Sequence, residues 1–329
     1  MMHVQERRRP SELSDLVQLS IRLGADLRLA QGAGGNLSVK TDGVLWIKAS
    51  GTRLGQAAER DIFVPMAAQA TREAVLVTED LAPLVLPEAK PWGLRPSIET
   101  ALHALLPHAV VAHVHGVGSI ATGLTDDVDR AAAALPNRLD AVVVPYAKPG
   151  VRLARAVLDC TGGRLSADRP GVLILRNHGL VVGASDSQGA GDLLNLVEQS
   201  FRSAAAPELV PGSPGGLLCP DGTVDVAAAE VLCAGALTPD SAVFLGPTPF
   251  ARIPAGPAPA EETGAAAFVA DDGSVWLRPD LGDDEREIAA SLVDVARQVR
   301  GTGMQTLTSA QVDELVNWEA EKWRRSHKR

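Results

Sequence analysis

The chain has 329 residues, enough for one large domain or two modest ones with a genuine apolar core. Hydrophobic residues make up 46% and charged residues 22%, an ordinary globular composition that excludes a disordered or fibrous chain. With 31 basic against 40 acidic side chains the net charge is -9, which leaves no basic surplus for a nucleic-acid backbone, and 3% aromatics offer little to stack on bases.

The opening MMHVQERRRP is basic but has no apolar stretch behind it, so it does not read as a signal peptide. The longest apolar runs, 109–114 and 172–175, are strand-length and far too short to span a membrane. Cys160, Cys219 and Cys233 form no C-x-x-C pair, and their odd number argues against a disulfide framework. A reducing cytoplasm, with no membrane or nucleic-acid partner, is the expectation.

In chain order, 11–30 predicts a helix, with Ser11 as cap and Leu13, Leu16, Val17 and Ile21 at helical spacing. QGAGGNLSVK then breaks into glycines and an alternating strand, and Asp42-Gly43 predicts a hairpin into Val44–Ile47. Ser97 is the expected N-cap of a second helix, followed by a buried strand over 109–115 and a helix from Gly118. Strands at 141–144, 172–175 and 180–183 are interleaved with helices at 151–158 and 187–204. Beyond 207 the Pro- and Gly-rich PGSPGG and IPAGPAPAEETG read as linkers. Short elements lie at 224–234, 242–245 and 266–277, with helices at 283–300 and 309–325. The expected division is 1–206 as the main domain and 207–329 as a C-terminal extension. Periodicity alone supports only mixed α and β.

Seven histidines occur, at 3, 103, 108, 113, 115, 178 and 327. His113 and His115 sit two apart in an apolar strand, so their imidazoles share one face, a common way to place two nitrogen ligands on one metal. His178 ends another strand just before a glycine, and Glu99 opens the helix preceding the His-x-His strand. Three imidazoles and a carboxylate suit zinc, and equally cobalt or manganese. His103, one helical turn after Glu99, fits either a ligand or a partner that orients the carboxylate. GAGGNL lacks the third glycine of a dinucleotide fingerprint and leads into a strand, which excludes that reading. Lys40 and Lys48 read as solvated rather than as Schiff-base lysines, and Trp318 and Trp323 as anchors of the last helix.

The segments QGAGGNLSVK, WIKASGTRL, RPSIETALH, VVAHVHGVGSIA and LILRNHGLVVG resemble, in this order, the class II aldolase/adducin family. WIKASG and the later LTPD and VFLGP are most similar to the aldolase half of bacterial rhamnulose-phosphate aldolase/dehydrogenase proteins, without a following dehydrogenase half. The resemblance implies a three-layer α/β/α sandwich with a central, mainly antiparallel sheet, to which a small C-terminal α+β appendage is added. It implies that Glu99, His113, His115 and His178 hold a divalent metal, most readily Zn2+, and that Glu99 doubles as the catalytic acid/base. It implies that Asn36, Ser50, Gly51 and Ser97 surround a substrate phosphate. Where phosphate-cleaving members usually carry two serines before the glutamate, this chain has Ser97-Ile98, and Tyr146, its one tyrosine, falls outside the motif position of the family's assisting tyrosine. The implied function is metal-dependent retro-aldol cleavage of a ketose or ketose phosphate through a metal-stabilised enediolate, in a homo-oligomer, tetrameric by analogy. An epimerase or dehydratase of the same fold, and a non-catalytic adducin-like binding module, are the alternatives.

Overall fold

The computed structural model describes residues 9–202, 223–254, 264–299 and 302–326; His3, Cys219, His327, PGSPGG and the expected boundary near 206 lie outside these. The first unit runs α1 (Ser11–Gly24), β1 (Asn36–Thr41), β2 (Val44–Lys48), β3 (Phe63–Ala67), α2 (Ala68–Ala74), α3 (Thr100–Leu105), β4 (Val110–Val114) and α4 (Val117–Gly123). It continues through α5 (Val128–Ala133), β5 (Asp140–Val144), α6 (Val151–Thr161), β6 (Gly171–Leu175), β7 (Gly179–Ala184) and α7 (Ser187–Phe201). Its strands form one seven-stranded sheet in the order β3-β2-β1-β4-β7-β6-β5. Every pairing is antiparallel except β5 with β6, which is parallel.

Alternation along the strands makes the three layers. Leu37 and Val39, Val44 and Trp46, and Val110 and Ala112 bury against α1 and α7. Their neighbours Leu45, Ile47, Val111, Leu173 and Val181 bury against α2, α3 and α6 on the opposite face. In α1, Leu13, Leu16, Leu19 and Leu23 are each at most 4% exposed, and burying such a side chain contributes roughly 1.5–3 kcal/mol. The Asp42-Gly43 turn is built as expected, with φ of 49° and 75° matching a tight hairpin.

The apolar pattern of the second face is interrupted at one end of the sheet. Asn36 of β1 pairs directly with His113 of β4, and Ser38 with Val111, so polar side chains gather there beside Glu99 and His103 at α3.

The second unit comprises α8 (Val226–Cys233), α9 (Pro239–Leu245), β8 (Phe250–Ile253), β9 (Ala267–Ala270), β10 (Val275–Leu277), α10 (Asp283–Gln298), α11 (Ser309–Val316) and α12 (Glu319–Ser326). Its three-stranded sheet is ordered β10-β9-β8. Its core is continuous with the first unit, because Val117, Ile120 and Ala121 of α4, with Leu124 just after it, are buried in the same cluster as residues of α8 and α10.

Local differences from the sequence reading have local causes. The first helix stops at Gly24, where Asp26 forms a turn by accepting from the Arg28 amide. Ser97 caps a turn rather than α3: its hydroxyl accepts from the Glu99 amide at 3.2 Å, and the helix begins at Thr100. The last helix is two, broken at Asn317 and Trp318. Strand β3 and helix α2 have no counterpart among the sequence-predicted elements; β3 pairs with β2 as an edge strand of the sheet, and α2 follows it directly.

Candidate metal centre

Three backbone devices bring the histidines together. His113 lies within β4, between Asn36 of β1 and Val181 of β7. His115 follows one pleat later, so its ring stands on the same side, with Nε2 3.2 Å from His113 Nε2. His178 is carried by the turn joining β6 to β7, in which Asn177 adopts a left-handed φ of 56°. The next residue must be glycine, because a Cβ at Gly179 would stand 2.4 Å from the Val114 carbonyl. The ring centroids are 4.9, 4.9 and 5.3 Å apart, and one ligand atom from each lies within 4.8 Å of the others. Glu99 closes the group, with Oε2 3.3 Å from His113 Nε2 and Oε1 3.5 Å from His178 Nε2.

Of the polar atoms facing away from this centre, His113 Nδ1 and Glu99 Oε2 are hydrogen-bonded, whereas His178 Nδ1 and Asp240 Oδ2 have no hydrogen-bond partner. His113 Nδ1 donates to the Leu180 carbonyl at 3.0 Å, an assignment set by the carbonyl acceptor, which leaves the Nε2 lone pair inward. His115 Nδ1 lies 3.1 Å from an Asp240 carboxylate oxygen. Glu99 Oε2 accepts from the Asn36 amide at 2.7 Å, whereas Oε1 is buried with no hydrogen-bond partner. A buried carboxylate oxygen without a donor is costly. Three convergent imidazole nitrogens beside it form a donor set that fits a divalent cation and would satisfy that oxygen.

Protonation states agree with ligation. Burial holds His178 down at about 3 and also lowers His113, so both are neutral at pH 7, as a metal ligand must be. Burial alone would push Glu99 up, but His113, His178 and the Asn36 amide outweigh it and hold the carboxyl at about 2, fully ionised.

The other sequence candidates occupy the same pocket in different ways. Asn36, Ser50, Gly51 and Ser97 line it together with Glu99, His115 and His178. Both ends of Asn36 are already engaged, its amide with Glu99 and its oxygen with His103 Nε2. His103 Nδ1 lies 2.7 Å from the Ser38 hydroxyl, so this histidine orients Asn36 and thereby Glu99. The Ser50 hydroxyl is buried without a partner, and the Ser97 hydroxyl is taken by the Glu99 amide. In the glycine loop, the Gly32 amide is spent on Glu287 of α10 and the Gly34 amide on Gln31.

Sequence reasoning misplaced one side chain that lines this pocket, Lys48, and missed three others, Asp240, Glu321 and Arg324. Lys48 is 2% exposed and donates to the Ala33 carbonyl at 3.1 Å; burial lowers its pKa to about 7, so the solvated role expected of it does not hold. Lys40 is half-buried and donates to the carbonyls of Leu106 and His108 at 2.8 Å each. Asp240 and Arg324 are ion-paired to each other, and in the sequence Asp240 is visible only as the last residue of LTPD. Trp318 and Trp323 do anchor the C-terminal helices: Lys148 sits 4.4 Å from the Trp318 ring and Arg95 4.5 Å from that of Trp323.

The class II aldolase and adducin N-terminal domain is matched over residues 14–205, and the chain belongs to that family. A curated relative, the uncharacterized oxidoreductase YuxG of Bacillus subtilis (strain 168), is 28% identical over 196 residues, 54% of this chain and 27% of that protein. The match thus spans little more than a quarter of that relative. Among solved structures, the N-terminal class II aldolase domain of a conserved Thermoplasma acidophilum protein is 29% identical, covering 61% of this chain and 97% of that one with a TM-score of 0.48. The L-fuculose-1-phosphate aldolase of Thermus thermophilus is 16% identical, covering 59% and 93% with a TM-score of 0.40. Among the described residues no helix is long and apolar enough to cross a membrane.

Proposed function

We propose that this protein is a divalent-metal-dependent, aldolase-type lyase that cleaves a carbon–carbon bond in a ketose or ketose phosphate. The convergence of His113, His115 and His178 on the ionised Glu99, with one carboxylate oxygen unsatisfied, is the observation that carries the reading. A bound Zn2+, Mn2+ or Co2+ would supply a Lewis-acidic centre that offsets the negative charge left on the ketone fragment. Glu99 is the base: it takes the proton of the substrate hydroxyl, the adjacent carbon–carbon bond breaks, and an aldehyde leaves. The bond electrons pass to the carbonyl side, and the protonated Glu99 returns its proton to that carbon. Asn36, itself held by His103, keeps the carboxylate aimed at the reacting group. Ser50, Gly51 and Ser97 with Asn36 surround the position for a substrate phosphate, Ser50 bringing an uncommitted hydroxyl. The rest of the substrate would extend into an adjoining cavity of about 350 Å3, which shares Ser50, Ser97, Ile98 and Pro149 with the metal pocket. A cytoplasmic homo-oligomer, tetrameric by family analogy, completes the proposal.

The reading is tested by metal analysis followed by a screen of ketose phosphates and free ketoses for aldehyde release. The purified chain is expected to hold one divalent ion per site, to lose activity with a chelator, and to lose both metal and activity in His113→Ala. Glu99→Gln should bind substrate while turnover falls roughly 10²–10⁴-fold. A His113→Ala protein with full metal content overturns the site. Products with an intact carbon skeleton, whether isomerised or dehydrated, replace the aldolase by an epimerase or dehydratase. A chain that never binds metal leaves the adducin-like binding module.

A further inference from the structure

Each imidazole of the centre needs something to fix its orientation. His113 has the Leu180 carbonyl on its outer nitrogen, whereas the outer nitrogen of His178, Nδ1, is buried with no hydrogen-bond partner. His115 stands just past the end of β4. Its Nδ1 faces Asp240, 3.1 Å away, while its Nε2 faces His113 at 3.2 Å. A carboxylate on the outer nitrogen selects the tautomer with hydrogen on Nδ1 and turns the Nε2 lone pair inward.

Asp240 is in turn held rigidly. It occupies the first turn of α9, whose N-cap Thr238 and Ser241 form a reciprocal capping box. Its second oxygen is ion-paired with Arg324 of α12, and Arg324 Nε lies 3.1 Å from Glu321. Asp240 and Arg324 are only 5% and 8% exposed, so this is a buried pair and not a surface one. An independent contact has the same sense. The Asn177 amide, next to His178, donates to the carbonyls of Leu237 at 3.1 Å and Gln305 at 2.8 Å, both in the second unit.

We propose that Asp240, which lies outside the matched family domain, is a positioning residue of the metal centre that fixes the His115 imidazole for ligation, with Arg324 holding the carboxylate in place. The segment after the family domain is then part of the site rather than an accessory to it. The inference rests on the reading of Glu99, His113, His115 and His178 as a metal site.

The test uses the full chain and Zn2+ or Co2+ alone. Asp240→Ala should weaken metal binding about 10–100-fold in chelator competition. Asp240→Asn keeps an acceptor oxygen and should lose less. Nitrogen-15 spectra of the histidines should show a single His115 tautomer in the parent and a mixture in the variants. Unfolding of the metal-free forms is measured alongside, because Asp240→Ala removes one of the two carboxylates paired with the buried Arg324; if that protein does not fold, Asp240→Asn decides. A residue with only a structural role would lower apo stability while leaving affinity and tautomer unchanged, and that result overturns the inference. If the parent chain itself binds no metal, the underlying site has failed instead, and the two failures are told apart by that single titration.

Discussion

A methyl group added at Gly34 would lie 2.7 Å from His115 Nδ1, 2.9 Å from the Gln31 carbonyl and 3.1 Å from Asp240 Oδ2. This glycine is therefore required for space: the loop passes over the very contact that orients His115. Gly34→Ala is expected to cost about 1–3 kcal/mol by overpacking and to weaken metal binding as the ring is displaced. Gly43→Ala is the matching control. Nothing lies within 4 Å of a Cβ there, but its φ of 75° is unfavourable for alanine, so it should lose about 1–2 kcal/mol with metal affinity unchanged. Urea unfolding and chelator competition on the two variants separate the effects. Equal metal affinity in both would show that the loop does not press on His115.

At the level of elements, much of the centre could be read from local rules. The His113–His115 pair follows from strand alternation, and the Asp42-Gly43 hairpin from the backbone demands of a tight turn. Ser97 shows the limit of such rules: a serine before a helix pattern reads as its cap, yet the chain makes one more turn and the hydroxyl is used by Glu99. Asp240, Arg324 and Lys48 were beyond reach for another reason. Their roles depend on packing between units distant in sequence, and nothing in a local window marks a carboxylate as the partner of a remote histidine. The β6–β7 turn joins both cases, since Asn177 supplies a left-handed residue locally and two bonds to the second unit at long range. Asn177→Gly should keep the turn but leave the buried Leu237 carbonyl and the partly exposed Gln305 carbonyl without this donor, costing about 1–3 kcal/mol. Asn177→Ala should cost about 1–2 kcal/mol more, the left-handed penalty. Urea unfolding of both checks this, and equal stabilities would mean that the turn carries no conformational demand.

Across the whole molecule, the buried ionisable groups set a pH dependence with opposing parts. Burial holds His103 and His178 at about 3, against 6.5 for the unfolded chain. Between those values the unfolded state binds more protons, so these histidines make the metal-free protein more stable as pH rises from 3 to 6.5. Glu99, held at about 2, adds in the same direction below 4.5. Glu198 acts oppositely. Burial raises it to about 7 although it accepts from the Gly118 and Ser119 amides at the start of α4, and a raised carboxyl loses stability as pH rises from 4.5 to 7. Each group can contribute a slope of up to about 1.4 kcal/mol per pH unit. Stability of the metal-free protein, followed by urea midpoints from pH 4.5 to 6.5, should therefore rise with pH because His103 and His178 together outweigh Glu198. His103→Gln should flatten that rise and Glu198→Gln should steepen it. Two variants that shift the slope in the same direction would contradict this account, because only opposite signs follow from a neutral buried imidazole on one side of the sheet and a protonatable buried carboxyl beside α4.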